Sequence, residues 1–394
     1  MHRHAFIAPW DSMTNKAHIE LLKCGVEFFP ALIAAIDAAE HEIFLETYIF
    51  SADPTGEKLA AALIAAAERK VAVHLMIDGF GSKEYPKEKR RELEAGGVRL
   101  RIYRPGFLNF RFLRTGIRRL HRKLVVIDRQ LAFVGGINIL HDFDPGCPAP
   151  RYDYALSIRG PLVADVLQAV RQLWWLVSWS QLKRRETQPT ASFASPVDNP
   201  AVQTVTATLL LRDNLHHRRD IERAYLQAIQ HASQRIIIAN AYFLPGRKLR
   251  RALLEAAHRG VEISLLLQGR IEYPLQHYAS QHLYARLMRA GIRIHLYRPA
   301  LLHAKVAVID DAWATVGSSN MDPFSLQLAR EANVVIEDAA FTALLAEHLR
   351  ETIRNDSDSV SADAWLALPA LRRLRMFLSY QVLRLTRQLA TREH

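Results

Sequence analysis

The chain repeats itself, and that constrains its fold more than any other feature. Ile43-Phe44-Leu45-Glu46-Thr47-Tyr48 returns as Ile237-Ile238-Ala239-Asn240-Ala241-Tyr242, and Tyr103-Arg104-Pro105 as Tyr297-Arg298-Pro299, both at an offset of 194. Leu120-His121-Arg122-Lys123 returns as Leu302-His303-Ala304-Lys305 at an offset of 182, so the first copy carries 12 extra residues after its Tyr-Arg-Pro. A duplicated unit predicts two like lobes related by a pseudo-twofold axis.

Within each copy an Ala- and Leu-rich helical stretch (58–69; 248–259) runs into an apolar strand-like run (71–77; 261–267). Such alternation predicts an α/β fold in which each lobe is a mixed, mostly parallel sheet flanked by helices. Residues 183–204 are polar and contain Pro189, Pro196 and Pro200, as an exposed linker would. The expected organisation is a first lobe over 1–182, a linker over 183–204, a second lobe over 205–356 and a basic amphipathic segment over 357–394.

The chemistry sits in the repeat. The first copy reads His121-Arg-Lys123-Leu-Val-Val-Ile-Asp128, then Gly135-Gly136-Ile-Asn138; the second reads His303-Ala-Lys305-Val-Ala-Val-Ile-Asp310, then Gly317-Ser318-Ser319-Asn320. Residues two apart on a strand share a face, so each copy offers an imidazole beside an ammonium. A lone histidine near a lysine is usually a surface accident; two copies in register are not. The small pairs Gly135-Gly136 and Gly317-Ser318 are expected to let backbone approach a ligand, with Asn138 and Asn320 donating to phosphate oxygens. Each histidine also needs an acceptor on its other ring nitrogen, and Asp153 and Glu331, in matching segments, supply a carboxylate in each half. The bland reading of those two is a surface acid at a strand start.

On these residues the chain resembles the phospholipase D superfamily, whose signature is His-x-Lys-x4-Asp followed by Gly-Gly or Gly-Ser and an Asn, present twice. The segments 240–246, 313–323 and 151–155 further resemble the cardiolipin synthase B branch. The resemblance implies two phospholipase D-like lobes, catalytic residues His121, Lys123, Asp128, His303, Lys305 and Asp310, and no metal or other cofactor. It also implies phosphatidyl transfer between two phosphatidylglycerol molecules through a phosphatidyl-histidine, with His121 as carrier and His303 as general acid and then base. Asp128 and Asp310 belong to that signature but follow buried strands, so they equally suit a turn. A phospholipase D-type hydrolase, a nuclease on the same fold and a non-catalytic basic binding module are the competing readings.

With 52 Lys and Arg against 40 Asp and Glu the net charge is +12, a field that attracts anionic lipid, phosphorylated substrates or nucleic acid. The resemblance favours phosphatidylglycerol, phosphatidylethanolamine as a further donor, and an anionic membrane surface over nucleic acid. Cys24 and Cys147 are too few for a disulfide framework. Neither a signal-peptide core at Met1 nor a run of about 18 apolar residues occurs, so the expected location is peripheral, on the cytoplasmic side of a bacterial inner membrane. Three segments could meet lipid: the stretch Phe107 to Arg119, mixing aromatics with arginines; Trp174, Trp175 and Trp179; and Leu371, Leu374, Leu378, Val382, Leu385 and Leu389 at helical spacing opposite arginines. Each has a plainer alternative, a packed loop, core filling and a helix packed on the body. Oligomeric state is not fixed by any of this.

Overall fold

A computed structural model describes residues 15–104, 119–144, 146–180, 204–213, 216–322, 325–326 and 328–391. The 12-residue excess after Tyr103-Arg104-Pro105 and nearly all of the expected linker lie outside the described residues.

The first lobe runs β1 (Asn15–Lys23), α1 (Cys24–Asp37), β2 (Glu42–Thr47), α2 (Pro54–Glu68), β3 (Ala72–Asp78), α3 (Lys87–Ala95) and β4 (Arg99–Tyr103). It continues through β5 (Lys123–Ile127), β6 (Leu131–Gly135), β7 (Tyr154–Arg159) and α4 (Leu162–Ser180). The second repeats the order: β8 (Val205–Arg212), α5 (Asp220–His231), β9 (Arg235–Asn240), α6 (Arg247–His258), β10 (Glu262–Gln268), α7 (Pro274–Arg289) and β11 (Arg293–Tyr297). Then follow β12 (Lys305–Ile309), β13 (Trp313–Gly317), β14 (Glu331–Glu337) and α8 (Ala339–Asp356). A tail of β15 (Ser357–Ser359), α9 (Ala362–Leu366) and α10 (Ala370–Thr391) has no counterpart in the first copy among the described residues.

Local signals explain the matching elements. α2 begins where the Asp53 side chain accepts from the backbone N–H of Thr55 and Gly56, both at 3.0 Å, with Pro54 in the first turn. It buries Leu59, Ala62, Leu63 and Ala66, a one-faced i, i+3, i+4, i+7 stripe, and α6 buries Leu249, Ala252, Leu253 and Ala256 at the same spacing. β2 and β5 are buried along their whole length, as strands covered on both faces must be.

All the described strands form one sheet in the order β4-β3-β2-β5-β6-β7-β1-β8-β14-β13-β12-β9-β10-β11-β15. Each lobe's half reads in reverse of the other about the antiparallel β1–β8 pair, where Asn15 faces Ala207 and Ala17 faces Val205. That mirrored order is what a twofold relation produces. The expected mixed α/β architecture is present, but its parallel share is smaller than helix and strand alternation implies: only β2–β3–β4 and β9–β10–β11 pair in parallel. The cause is the turn after each His-x-Lys strand. Asp128 and Arg129 adopt positive φ of 49° and 58°, and Asp310 of 50°, so β5 and β12 fold straight back as hairpins, too short a connection for a parallel crossover.

Three hydrophobic layers follow. One lies under α1 and α2 of the first lobe, one under α5 and α6 of the second. The third, on the other face, is shared: Leu124, Val126 and Tyr152 of the first lobe join Val306, Val316 and Leu349 of the second in one continuous cluster capped by α4 and α8. Trp174 of α4 is buried there against Phe44 and His74, whereas Trp179 is exposed. The two lobes therefore share a core, and the groups near their seam are held rigidly.

Candidate active site

The segments entering β5 and β12 cross the seam before their strands begin. The N–H groups of His121 and Arg122 both donate to the Arg330 carbonyl, at 3.0 and 2.9 Å, and Arg330 N–H donates to the Arg119 carbonyl at 2.7 Å. On the twofold-related side, His303 N–H donates to the Tyr152 carbonyl at 2.8 Å and Tyr152 N–H to the Leu301 carbonyl at 2.9 Å. Each histidine segment is thus zipped to the residue preceding the other lobe's carboxylate, through the bridges Leu120 to Arg330 and Tyr152 to Leu302.

The side chains complete the exchange. His121 Nδ1 meets Glu331 Oε2 at 3.1 Å, and His303 Nδ1 meets Asp153 Oδ2 at 2.6 Å. The sequence offers one carboxylate per half; the structure gives each histidine the carboxylate of the opposite half. A carboxylate accepting from Nδ1–H fixes the tautomer, leaving the Nε2 lone pair as the reactive position of each ring. The imidazoles keep 15% and 17% side-chain exposure while Glu331 and Asp153 keep 0% and 4%, so the rings can be reached and their partners cannot.

Lys123 Nζ donates to the His121 carbonyl at 2.6 Å, and Lys305 Nζ donates to the His303 carbonyl while lying 3.5 Å from Asp153. All four groups act on one another. Burial holds His121 below its ordinary range, with Lys123 and Lys305 adding to the effect and Glu331 opposing it. His303 is held well below by burial and by Lys305, Lys123 and His121. Burial and then Lys305 push Lys123 down to about 7, and burial pushes Asp153 up to about 6. Two buried lysines and two buried carboxylates surround the paired rings, and of these the lysines are the groups that can meet an anionic phosphodiester.

Asn138 and Asn320 are both buried near the ends of the motif. Asn138 Oδ1 accepts from Ile49 N–H at 3.2 Å, which turns its amide hydrogens away from that contact; Asn320 Oδ1 is buried without a partner. Asp128 and Asp310 are not brought to the site. They lie beyond the opposite ends of β5 and β12, where Asp128 accepts from the N–H groups of Glu40, His41 and Glu42 at 2.8 Å each, and Asp310 from Ser233, Gln234 and Arg235 at 2.8 to 3.0 Å. Of the two roles the motif suggests, the turn is the one they fill. The small residues also serve a different purpose from the one expected: a Cβ on Gly136 would lie 2.4 Å from the Asp153 carboxylate, and one on Gly135 2.5 Å from the Tyr154 carbonyl. They make room for the carboxylate strand. In the second copy Ser318 occupies the Gly136 position and donates to Glu331 Oε2 at 2.5 Å.

Several neighbours escaped the sequence reading. Tyr48 packs on His121 with ring centroids 5.0 Å apart and under Lys123, and its repeat mate Tyr242 donates to Glu272. Both tyrosines end the repeated hexapeptide, which was the available signal. Asp78, fully buried, accepts from Leu120 N–H at 2.9 Å and so steadies the approach to His121; no motif marks it. Among the described residues no group of three His, Cys, Asp or Glu side chains is placed to hold a metal ion.

The repeat and the fold have counterparts among known proteins. The family described as "Cardiolipin synthase, PLD-like domain" matches residues 32–164 and 225–353, one segment in each lobe. The chain is 42% identical over 356 residues to cardiolipin synthase B of Salmonella typhi, covering 87% of this chain and 82% of that protein, and 40% identical over 353 residues to cardiolipin synthase B of Escherichia coli K12 with the same coverage. Among solved structures, phosphatidylserine synthase of Haemophilus influenzae superposes with a TM-score of 0.74 over 96% of both chains at 15% identity, a likeness of fold. With both lobes matched and such relatives along most of its length, the chain belongs to the cardiolipin synthase family of phospholipase D-like proteins.

Proposed function

We propose that this chain is a cardiolipin synthase, transferring a phosphatidyl group from one phosphatidylglycerol to the glycerol hydroxyl of a second. The observation that carries the reading is the crossed pair His121–Glu331 and His303–Asp153, which ties the two imidazoles together across the seam and engages each ring through Nδ1 rather than Nε2. In the first step His121 Nε2 attacks phosphorus, a P–N bond forms, the P–O bond to glycerol breaks, and the protonated His303 Nε2 gives its proton to the departing alkoxide. In the second, His303 takes the proton of the incoming hydroxyl, whose oxygen displaces His121 and releases cardiolipin. Lys123, Lys305, Asn138 and Asn320 bind the phosphate oxygens, and Asp153 and Glu331 steady the imidazolium that each step needs.

Burial first, and then the charges of Lys305 and Lys123, hold His303 well below the ordinary histidine range. An entering phosphodiester anion offsets that charge and Asp153 lies at 2.6 Å, so substrate binding favours the protonated form the first step uses. Assigning His121 as carrier follows the resemblance of the amino-terminal motif. Phosphatidylethanolamine is a further donor, and the chain works as a peripheral protein on the cytoplasmic side of an anionic membrane.

Thin-layer analysis of purified protein with phosphatidylglycerol vesicles, with plasmid DNA in parallel, tests the reading. Cardiolipin and glycerol should appear and the DNA stay intact, and His121→Ala and His303→Ala should each lower the rate by about 10³-fold or more. Folded variants that keep the parental rate would contradict it, as would DNA cleavage without lipid turnover.

A further inference from the structure

The tail that follows the second copy carries a face with no protein partner among the described residues. Helix α10 is held to the body by Met376 and Leu383, both buried, and by His282 packing against Tyr380 at 4.8 Å. At 100° per residue, Leu371, Leu374, Leu378, Val382 and Leu385 lie roughly opposite that packed edge, and all are about half or more exposed. The side chain of Leu389 lies outside the described residues. With Leu275 and Tyr278 of α7, Leu371, Leu374, Leu378 and Val382 line a groove of about 710 Å³.

A chain of contacts leads from the groove toward Lys305. Ile271, Tyr273 and Leu275, at the start of α7, are each 41–55% exposed. The Tyr273 ring lies 5.9 Å from Tyr242, whose hydroxyl donates to Glu272, and the Glu272 charge acts on Lys305. Exposed apolar side chains therefore run from the rim of the site onto α10.

We propose that this face docks on an anionic lipid surface and sets the mouth of the site against the headgroups. Charge chooses the occupant. Residues 370–391 contain five arginines and no acid, and Arg372, Arg373, Arg375 and Arg384 are exposed around the leucine stripe. A second copy would set arginine against arginine, whereas anionic headgroups neutralise them while the leucines enter the acyl boundary. No described helix is long and apolar enough to cross a membrane, so the contact is with the surface. The inference rests on the proposed function only for the reason such docking is useful.

The test uses the full chain and Leu374→Glu/Leu378→Glu, with phosphatidylcholine vesicles carrying or lacking phosphatidylglycerol. Flotation should show binding that needs the anionic lipid and falls by about tenfold or more in the variant. Turnover of vesicle lipid should fall with it, while turnover of a short-chain phosphatidylglycerol dispersed below its micelle concentration stays at the parental rate. Arg372→Gln/Arg373→Gln should weaken the preference for anionic vesicles. Equal flotation of variant and parent overturns the proposal, as does a parental dimer that the variant breaks, which would make the face a contact between copies. Stripe-dependent flotation by a parent that turns over no lipid supports the docking surface and removes the proposed chemistry instead.

Discussion

At the scale of the residue, the site's protonation balance is set by burial and by two ammonium groups. His121 is held below the ordinary histidine range, so its ring stays neutral and nucleophilic somewhat below pH 6.5. Lys123, pushed down to about 7, loses its charge as the pH rises past neutrality, and with it the attraction for a phosphodiester. The profile of kcat/KM against pH, which reports the free enzyme, should therefore have its acid limb below 6.5, a first decline as His303 loses the proton that the first step needs, and a steeper alkaline limb from near 7 where Lys123 titrates. Lys123→Arg should move the alkaline limb well upward, because a guanidinium does not deprotonate in that range, even where the altered geometry lowers the maximum rate. An unchanged alkaline limb would assign that titration to another group.

At the scale of the element, each His-x-Lys strand works at both ends. Its start is tied across the seam by the Arg330 and Tyr152 carbonyls, and its finish is pinned by a carboxylate that takes three backbone N–H groups. Asp128→Ala should cost about 1–2 kcal/mol of stability, read as a lower denaturation midpoint, and leave kcat of the folded protein near its parental value. A large loss of kcat with stability intact would return Asp128 to the chemistry. The strands, helix faces and signature were legible in the sequence because hydrophobic period and repeat register are local properties. Asp128-Arg129 and Asp310-Asp311 between apolar runs mark a turn without saying that the strand folds back on its neighbour, and the helix and strand alternation upstream argues for parallel pairing. The purpose of Gly135 and Gly136 was hidden, since a missing side chain makes room equally for a ligand or for the Asp153 strand.

Across the whole molecule, the two lobes are one device. The shared core and the β1–β8 junction fix their relation, and the carboxylate exchange leaves neither histidine complete within its own lobe. The sequence shows that Asp153 and Glu331 occur in matching segments, but which carboxylate meets which histidine depends on where the twofold axis passes, and no residue pattern encodes that. Elsewhere the copies have diverged. Arg122 and Glu46 form a buried ion pair at 2.6 Å where the second copy has Ala304 and Asn240, so the axis relates frameworks more closely than surroundings. Such divergence suits two histidines with different tasks on one phosphorus.

Covalent stoichiometry tests that division of labour. Phosphatidylglycerol labelled at phosphorus, mixed with the parental protein and quenched rapidly at alkaline pH, should leave at most one labelled group per chain, on the peptide containing His121 and absent from His121→Ala. Two labels per chain, or label on the His303 peptide of the parental protein, would contradict a single shared phosphate site with His121 as its carrier.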